Sequence, residues 1–367
     1  MKIAASVAAI LAAAIVASAV PAESGQRGDV GARREEIQRR REALRERQAE
    51  LRRARQEARR GPMATEPFTA LAKIGRQGNL TLVNPAGNVT LTGSGGDDVR
   101  IDAIKRAWGD TDAGARAALS DVEIQVTERQ GAADVRAVLQ GQRRLDAEVD
   151  FTIAVPSGAS VSVRTLSGDV TVSGVRGELR VEAVGGSIKA TSVGQVRMLR
   201  TLSGAVSLEN ADSSDVIVST LGGGVTIRQL KAQSADLRTV GGDLIISDSE
   251  AERVIAQSLN GRVELSGRLA RTGRYSLQSQ SGEIRLIPAA ADFELEAATV
   301  NGTVQSDYPI TVDDRRELGP RGRARVVGRG VGRGGRGNAR ILRGVSGNGG
   351  PLVTLRSFSG DIMIAKR

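Results

Sequence analysis

Nine short segments of this chain share one pattern: an apolar residue, a small residue, Gly, any residue, then an aliphatic one. Eight of the glycines, Gly168, Gly186, Gly204, Gly223, Gly242, Gly261, Gly282 and Gly302, follow one another at intervals of 18 to 21 residues, and Gly360 repeats the pattern after a long interruption. Self-similarity at a short, nearly fixed period marks a repeat architecture.

Aligned on that glycine, the segments form columns. Two residues after it stand Val170, Ile188, Val206, Val225, Leu244, Val263, Ile284, Val304 and Ile362. Four residues after it stand Val172, Ala190, Leu208, Ile227, Ile246, Leu265, Leu286 and Ile364, broken only by Ser306. Five before it stand Val163, Val181, Leu199, Val218, Leu237, Ala256, Leu277, Ala297 and Leu355. Apolar residues at alternate positions place one face of a strand against a core, so each unit reads as strand, glycine turn, strand. A unit of this length cannot hold a crossover helix between parallel strands. What remains is a stack of coils, each pairing with the next, whose aliphatic columns merge into a core that no single coil could bury. The spacing predicts an all-β fold, a single-stranded parallel β-solenoid of 18–21 residues per coil. The recurring glycine is expected to hold positive φ at a sharp corner. Eight consecutive coils at a spacing of about 4.8 Å would make a body roughly 40 Å long.

Of 367 residues, 45 are Gly and 2% are aromatic, so the core must be built from Val, Leu, Ile and Ala in thin layers. The chain has no Cys and no His, which excludes disulfides, thiol nucleophiles, imidazole bases and nearly every transition-metal site. No cofactor is expected.

Residues 1–22 join Lys2, an apolar run over 3–16 and the small residues Ala17, Ser18, Ala19, Val20, Pro21 and Ala22. This reads as a secretory signal peptide, because the run is shorter than the ~20 residues of a membrane-spanning helix. Residues 23–66 are expected to be a charged helical stalk and linker. Within them, 31–60 carry twelve Arg and six Glu, with only Gly31 and no Pro, a helix composition. Ile37, Leu44, Leu51 and Ala58 recur every seven residues, but their expected partners are mostly Arg, so only half a coiled-coil seam is present. Gly61-Pro62 ends the segment.

The solenoid is expected over 67–367. Leu82, Gly87, Val89 and Leu91 fit an atypical first coil, residues 109–121 a short helix or loop, and 122–126 and 149–153 alternating strands. Residues 312–350 read as a basic loop with ten Arg against three acids, including a Gly/Arg run over 328–337. The two appendages together carry more positive charge than the net +10, so the solenoid body is mildly acidic. Arg329, Arg333, Arg336, Arg340 and Arg343 are the candidate contacts for anionic polymers.

The order of Asn84-Pro85-Ala86-Gly87-Asn88-Val89, then Ala154-Val155-Pro156, then coils of the Thr-Leu-Ser-Gly-Asp-Val kind and a closing Ser357-Phe358-Ser359-Gly360-Asp361-Ile362 resembles the bacterial putative-adhesin family of exported β-solenoid domains. The resemblance covers residues 71–367 and implies a right-handed winding and an adhesive role, with no catalytic residues to carry over. Some relatives are labelled auto-transporter adhesins. This chain departs from them in ending on the coil at Ile364 with no translocator barrel behind it.

The alternative class is a β-helical lyase or hydrolase acting on an acidic polysaccharide. It needs carboxylates, with Arg or Lys, clustered on adjacent coils. Asp169, Asp243, Glu283 and Asp361 share the column after the glycine, yet they are expected on non-adjacent coils, most of them separated by about 10 Å or more. Trp108, Tyr275 and Tyr308 give few aromatic platforms for sugars. The column Thr165, Thr201, Thr220, Thr239, Ser258, Ser279, Thr299 and Ser357 is one rank of hydroxyls, suited to bonding backbone at a corner rather than to binding ice. The sequence therefore points to a non-enzymatic, exported adhesive or scaffolding module. Its expected partners are anionic cell-envelope polymers or other surface proteins, in the periplasm, on the cell surface or outside the cell.

Overall fold

The computed structural model describes residues 61–140, 147–312 and 340–366. The expected signal peptide, most of the stalk, and Arg329, Arg333 and Arg336 lie outside the described residues.

The chain is all-β with a solenoid-like fold, its described residues holding one helix, Asp112–Ser120. From residue 160 onward, strands stack in parallel at the expected repeat, with Val170 beside Ile188, Ile188 beside Val206, Val206 beside Val225, Val225 beside Leu244, and so on to Ile284. All three aliphatic columns point inward and are buried, except Val304, which is half-buried at the end of the stack. Each layer covers the apolar side chains of its neighbours. That is why residues as small as Ala190 and Ala256 are fully buried.

The corners differ from expectation. Among the nine pattern glycines only Gly168 and Gly186 have positive φ, 123° and 114°. The left-handed corner lies six residues later, where Gly174, Ser192, Asn210, Gln229, Asp248 and Gly267 hold φ between 49° and 125°. Asn, Asp and Ser tolerate this conformation through local hydrogen bonds; Gln229 has a longer side chain and is strained there. The pattern glycine recurs for a different reason, close approach. A Cβ on Gly204, Gly223, Gly242, Gly261, Gly282 or Gly360 would run into the carbonyl of the glycine one layer away.

The stack is not uniformly parallel. At the N-terminal end Met63–Lys73 pairs antiparallel with Asp98–Trp108, which pairs antiparallel with Ala147–Pro156. Val122–Arg129 and Ala132–Leu139 form a further antiparallel pair. The first coil, Asn79–Asn84 and Val89–Ser94, lies between residues 132–156 on one side and 160–173 on the other. The strands that cover the first coil's outer edge, Ala132–Leu139 and Ala147–Pro156, follow it in sequence. The helix Asp112–Ser120 falls where a short helix or loop was expected, and the Thr111 hydroxyl accepts from Gly114 N at 3.0 Å as its N-cap.

The C-terminal end departs further. The expected loop over 312–350 includes a strand, Arg340–Ser346, antiparallel to Phe293–Thr299. Arg340 and Arg343 therefore belong to a paired strand, flanked on its other side by Thr311–Val312 at Val345 and Gly344, and Ser346 is fully buried. The last coil, Leu352–Ser357 and Ile362–Ile364, does not close the stack. It lies between the Gly282 coil and the Gly302 coil, pairing in parallel with both.

Candidate interaction surface

The glycine corner gives one edge of the solenoid its structure. Thr201, Thr220, Thr239, Ser258, Ser279 and Thr299 are buried, and their hydroxyls donate to the carbonyls of Gly186, Gly204, Gly223, Gly242, Gly261 and Gly360 at 2.8–3.1 Å. Each glycine carbonyl is pressed against the next glycine Cα and capped by a hydroxyl from that same layer. The rank of hydroxyls satisfies buried backbone, as the single column predicted. Where the rank is broken at Ala183, no hydroxyl can serve the Gly168 carbonyl. At the first coil Asn84 substitutes, its side-chain amide donating to Gly87 O at 3.1 Å and Val149 O at 2.9 Å.

The column after the glycine caps backbone in the same manner. One carboxylate oxygen of Asp169 accepts from Ser187 N at 2.7 Å, and Asp243 accepts from Arg262 N at 2.9 Å. Asp361 accepts from both Thr303 N and the Thr303 hydroxyl, at 2.7 and 2.8 Å. Sequence order misleads at one place here. Because the last coil is inserted, Glu283 and Asp361 occupy adjacent layers, with Ile284 N donating to Asp361 O at 2.9 Å. Asp243, Arg262, Glu283 and Asp361 thus stand on four consecutive layers. Glu283 pairs with Arg285 at 3.4 Å. Among the described residues, no group of His, Cys, Asp and Glu is arranged to hold a metal ion.

Outside the hydroxyl rank, one residue before the small position, runs an apolar ridge. Leu166, Leu221, Val240, Leu259 and Phe358 are 39–53% exposed, and Val184, Leu202 and Val300 are half-buried. Their register is fixed by backbone. Gly222 N donates to Leu202 O, Gly241 N to Leu221 O, Asn260 N to Val240 O, and Ser281 N to Leu259 O, at 2.9–3.0 Å. Ser359 N donates to Gln280 O at 2.8 Å and Asn301 N to Phe358 O at 2.9 Å, so Gln280 is the one polar interruption. At about 4.8 Å per layer the ridge is roughly 40 Å long. The residues next to it, among them Ser203, Gly222, Gly241, Asn260 and Ser281, are small and leave it protruding.

The sequence pattern contained this ridge as its first, apolar member without assigning it a role. The signal for its exposure was phase. The residue two before the glycine is out of step with the buried positions three and five before it, so in a strand it must face outward.

Part of the charge on the body is paired. Arg164 meets Glu182 at 3.6 Å, Arg197 meets Glu178 at 3.5 Å, Arg238 meets Asp236 at 2.8 Å, and Arg343 meets Glu296 at 2.9 Å. Such exposed pairs contribute little to stability, but they cancel the local field. A groove of about 830 Å³ past the left-handed corner carries Arg176, Asp212, Lys231 and Glu250, opposite charges on neighbouring layers. Arg343, the one candidate arginine whose side chain is described, is thus engaged with an acid. No helix among the described residues is long and apolar enough to cross a membrane.

The sequence profile of the family described as Toastrack DUF4097 matches residues 78–325. No curated protein matches the chain. Similar solved structures include a putative adhesin from Bacteroides fragilis, 14% identical over 82% of this chain and 97% of that one, with a TM-score of 0.36. Others are a putative lipid binding protein from Parabacteroides distasonis, at 11% identity, 82% and 97% coverage and TM-score 0.38, and a putative cell adhesion protein from Clostridium sporogenes, at 10%, 83%, 100% and 0.22.

Proposed function

Because the chain belongs to the Toastrack DUF4097 family, a domain of unknown function, we propose that it is a non-enzymatic, extracytoplasmic adhesive or scaffolding module. In this proposal residues 1–22 are a signal peptide, 23–66 a helical stalk and linker, and 67–367 a right-handed solenoid whose contact surface is the apolar ridge.

The observation that carries the proposal is the ridge itself. Eight apolar side chains aligned over nine layers on an outer corner do nothing for the core, and a contiguous exposed apolar strip on a folded protein is the usual mark of a binding surface. Its partner is a protein or envelope surface that buries aliphatic side chains. Anionic polymers are a second contact, made through Arg329, Arg333, Arg336, Arg340 and Arg343.

The test is a triple substitution, Leu221→Ser, Val240→Ser and Leu259→Ser. All three side chains are exposed, so unfolding should shift by no more than about 0.5 kcal/mol per site. Beads carrying the variant should lose attachment to envelope preparations of the producing cells. Undiminished attachment would move the contact surface elsewhere on the protein.

The adjacency of Glu283 and Asp361, with Arg262 and Arg285 nearby, favours a second reading, a hydrolase or lyase acting on an acidic polysaccharide. Against it, Asp361 already accepts two hydrogen bonds from Thr303. Turnover of such a polymer that disappears in Glu283→Gln would establish the enzyme; no turnover by the native chain would remove it.

A further inference from the structure

The inserted C-terminal coil has walls on both sides that precede it in the chain. Arg274–Ser279 and Ile284–Pro288 form one wall, and Phe293–Thr299 and Val304–Ser306 form the other. Both walls are synthesised before Leu352–Ile364 can arrive. Until it does, the slot presents two unpaired strand edges and the apolar side chains of Leu277, Ile284, Leu286, Leu295 and Ala297, all buried once the coil is seated. Open edges backed by apolar columns are templates for added strands.

The coil is reached through an unusual connection. Arg340–Ser346 runs antiparallel along one side of Phe293–Thr299, and Leu352–Ser357 runs parallel along the other. The chain therefore crosses around that strand through Gly347, Asn348, Gly349, Gly350 and Pro351. Gly347, Gly349 and Gly350 all have positive φ, 61°, 77° and 144°. The crossing is held by Asn348 N donating to the Asp292 carboxylate at 2.9 Å, Glu294 N donating to Pro351 O at 2.9 Å and Gly349 N donating to Ser346 O at 3.3 Å. These three glycines also have extended conformations open to them at little cost. Extended, the same residues carry the coil away from its own slot.

We propose that the slot between the Gly282 and Gly302 coils accepts residues 352–364 from a second copy of this chain. Two chains then exchange C-terminal coils, each completing the other's stack. Every backbone pairing and buried contact of the monomer is re-formed between copies, so exchange sacrifices little beyond the entropy of association, as in other cases of domain swapping.

The chain has no cysteine, so introduced thiols report this contact alone. Gln278 and Arg356 are register partners across the slot. Their Cα atoms, about 4.8 Å apart in a parallel ladder, are within disulfide range. Full-length Gln278→Cys and Arg356→Cys variants would be mixed, concentrated, warmed below the unfolding transition and oxidised. The expected product is a disulfide-linked dimer containing one chain of each kind, whereas the double variant, oxidised when dilute, closes within one chain. Deleting Asn348 and Gly349 makes the crossing too short for self-insertion and should raise the dimer fraction at least about tenfold, as relief of a strained hinge does. Gly347→Ala, forced into left-handed φ against Asp292, should act in the same direction should the deletion fold poorly. Monomer alone in the native-hinge mixture, or a dimer that forms without the 278–356 disulfide, would overturn the proposal.

Discussion

Gly242→Ala tests why the repeat glycine exists. The φ of Gly242 lies outside the left-handed region, so backbone entropy alone would make alanine stabilising by about 0.5–1 kcal/mol. Packing opposes this. A methyl on this Cα stands 2.6 Å from Gly224 N and closer still to the Gly223 carbonyl, roughly 1 Å inside the separation at which non-bonded atoms attract. Every atom it meets is backbone held by the strand ladder, so relief requires the two layers to part locally. Overpacking of that kind costs about 1–3 kcal/mol. Parting also stretches the Thr239 hydroxyl bond to Gly223 O, now 2.8 Å, which contributes about 1 kcal/mol. The expected net loss is about 2 kcal/mol, read from urea unfolding followed by circular dichroism. Gly222→Ala is the matched control, because its nearest atom would be Leu202 O at an unstrained 3.6 Å. Equal midpoints for the two variants would refute the stacking explanation.

Val225 is fully buried and Thr226 half-buried on the outer face, so Val225→Asp should cost roughly 4 kcal/mol or more and Thr226→Asp less than about 1; similar thermal shifts would mean the strand phase is wrong. Burial raises the pKa of the Tyr275 hydroxyl above the ordinary 10.0, the hydroxyl donating to Ala251 O at 2.6 Å. Above about pH 10 the unfolded chain sheds this proton first, so the folded state holds more protons and stability falls as pH rises. Tyr275→Phe should be less stable at neutral pH but lose less between about pH 9 and 11, and an unchanged slope would remove Tyr275 from the alkaline transition. Deleting residues 31–60 and 313–339 should abolish salt-sensitive retention on heparin while leaving the body folded. The deletion must stop at 339, since Arg340–Ser346 is a paired strand. Retention that survives the deletion, or does not respond to salt, would place polymer binding on the coils.

The repeat, its period and the inward phase of Val225, Ile227 and Leu237 were legible in the sequence because each column is nearly pure in residue type. The left-handed corner was hidden by the opposite property. Ser192, Asn210, Gln229 and Asp248 share φ but no side-chain class, and the pattern glycine nearby drew the expectation to itself. The place of the last coil was not legible at all, since the order of layers in space differs from their order in sequence and only register, as between Gln278 and Arg356, reveals it. That same displacement brought Glu283 beside Asp361. The ridge was present in the pattern as an apolar residue two before the glycine, and alternation alone would have turned it outward.

Attachment through the ridge can be read most directly with an environment-sensitive fluorophore on single introduced cysteines, which the cysteine-free chain permits. Labels at Val240→Cys and Leu259→Cys on the ridge and at Thr226→Cys on an outer strand face would be compared upon addition of envelope preparations. A blue shift at positions 240 and 259, with none at 226, is the predicted result. A shift confined to 226, or the same at all three, would contradict the ridge as the contact surface.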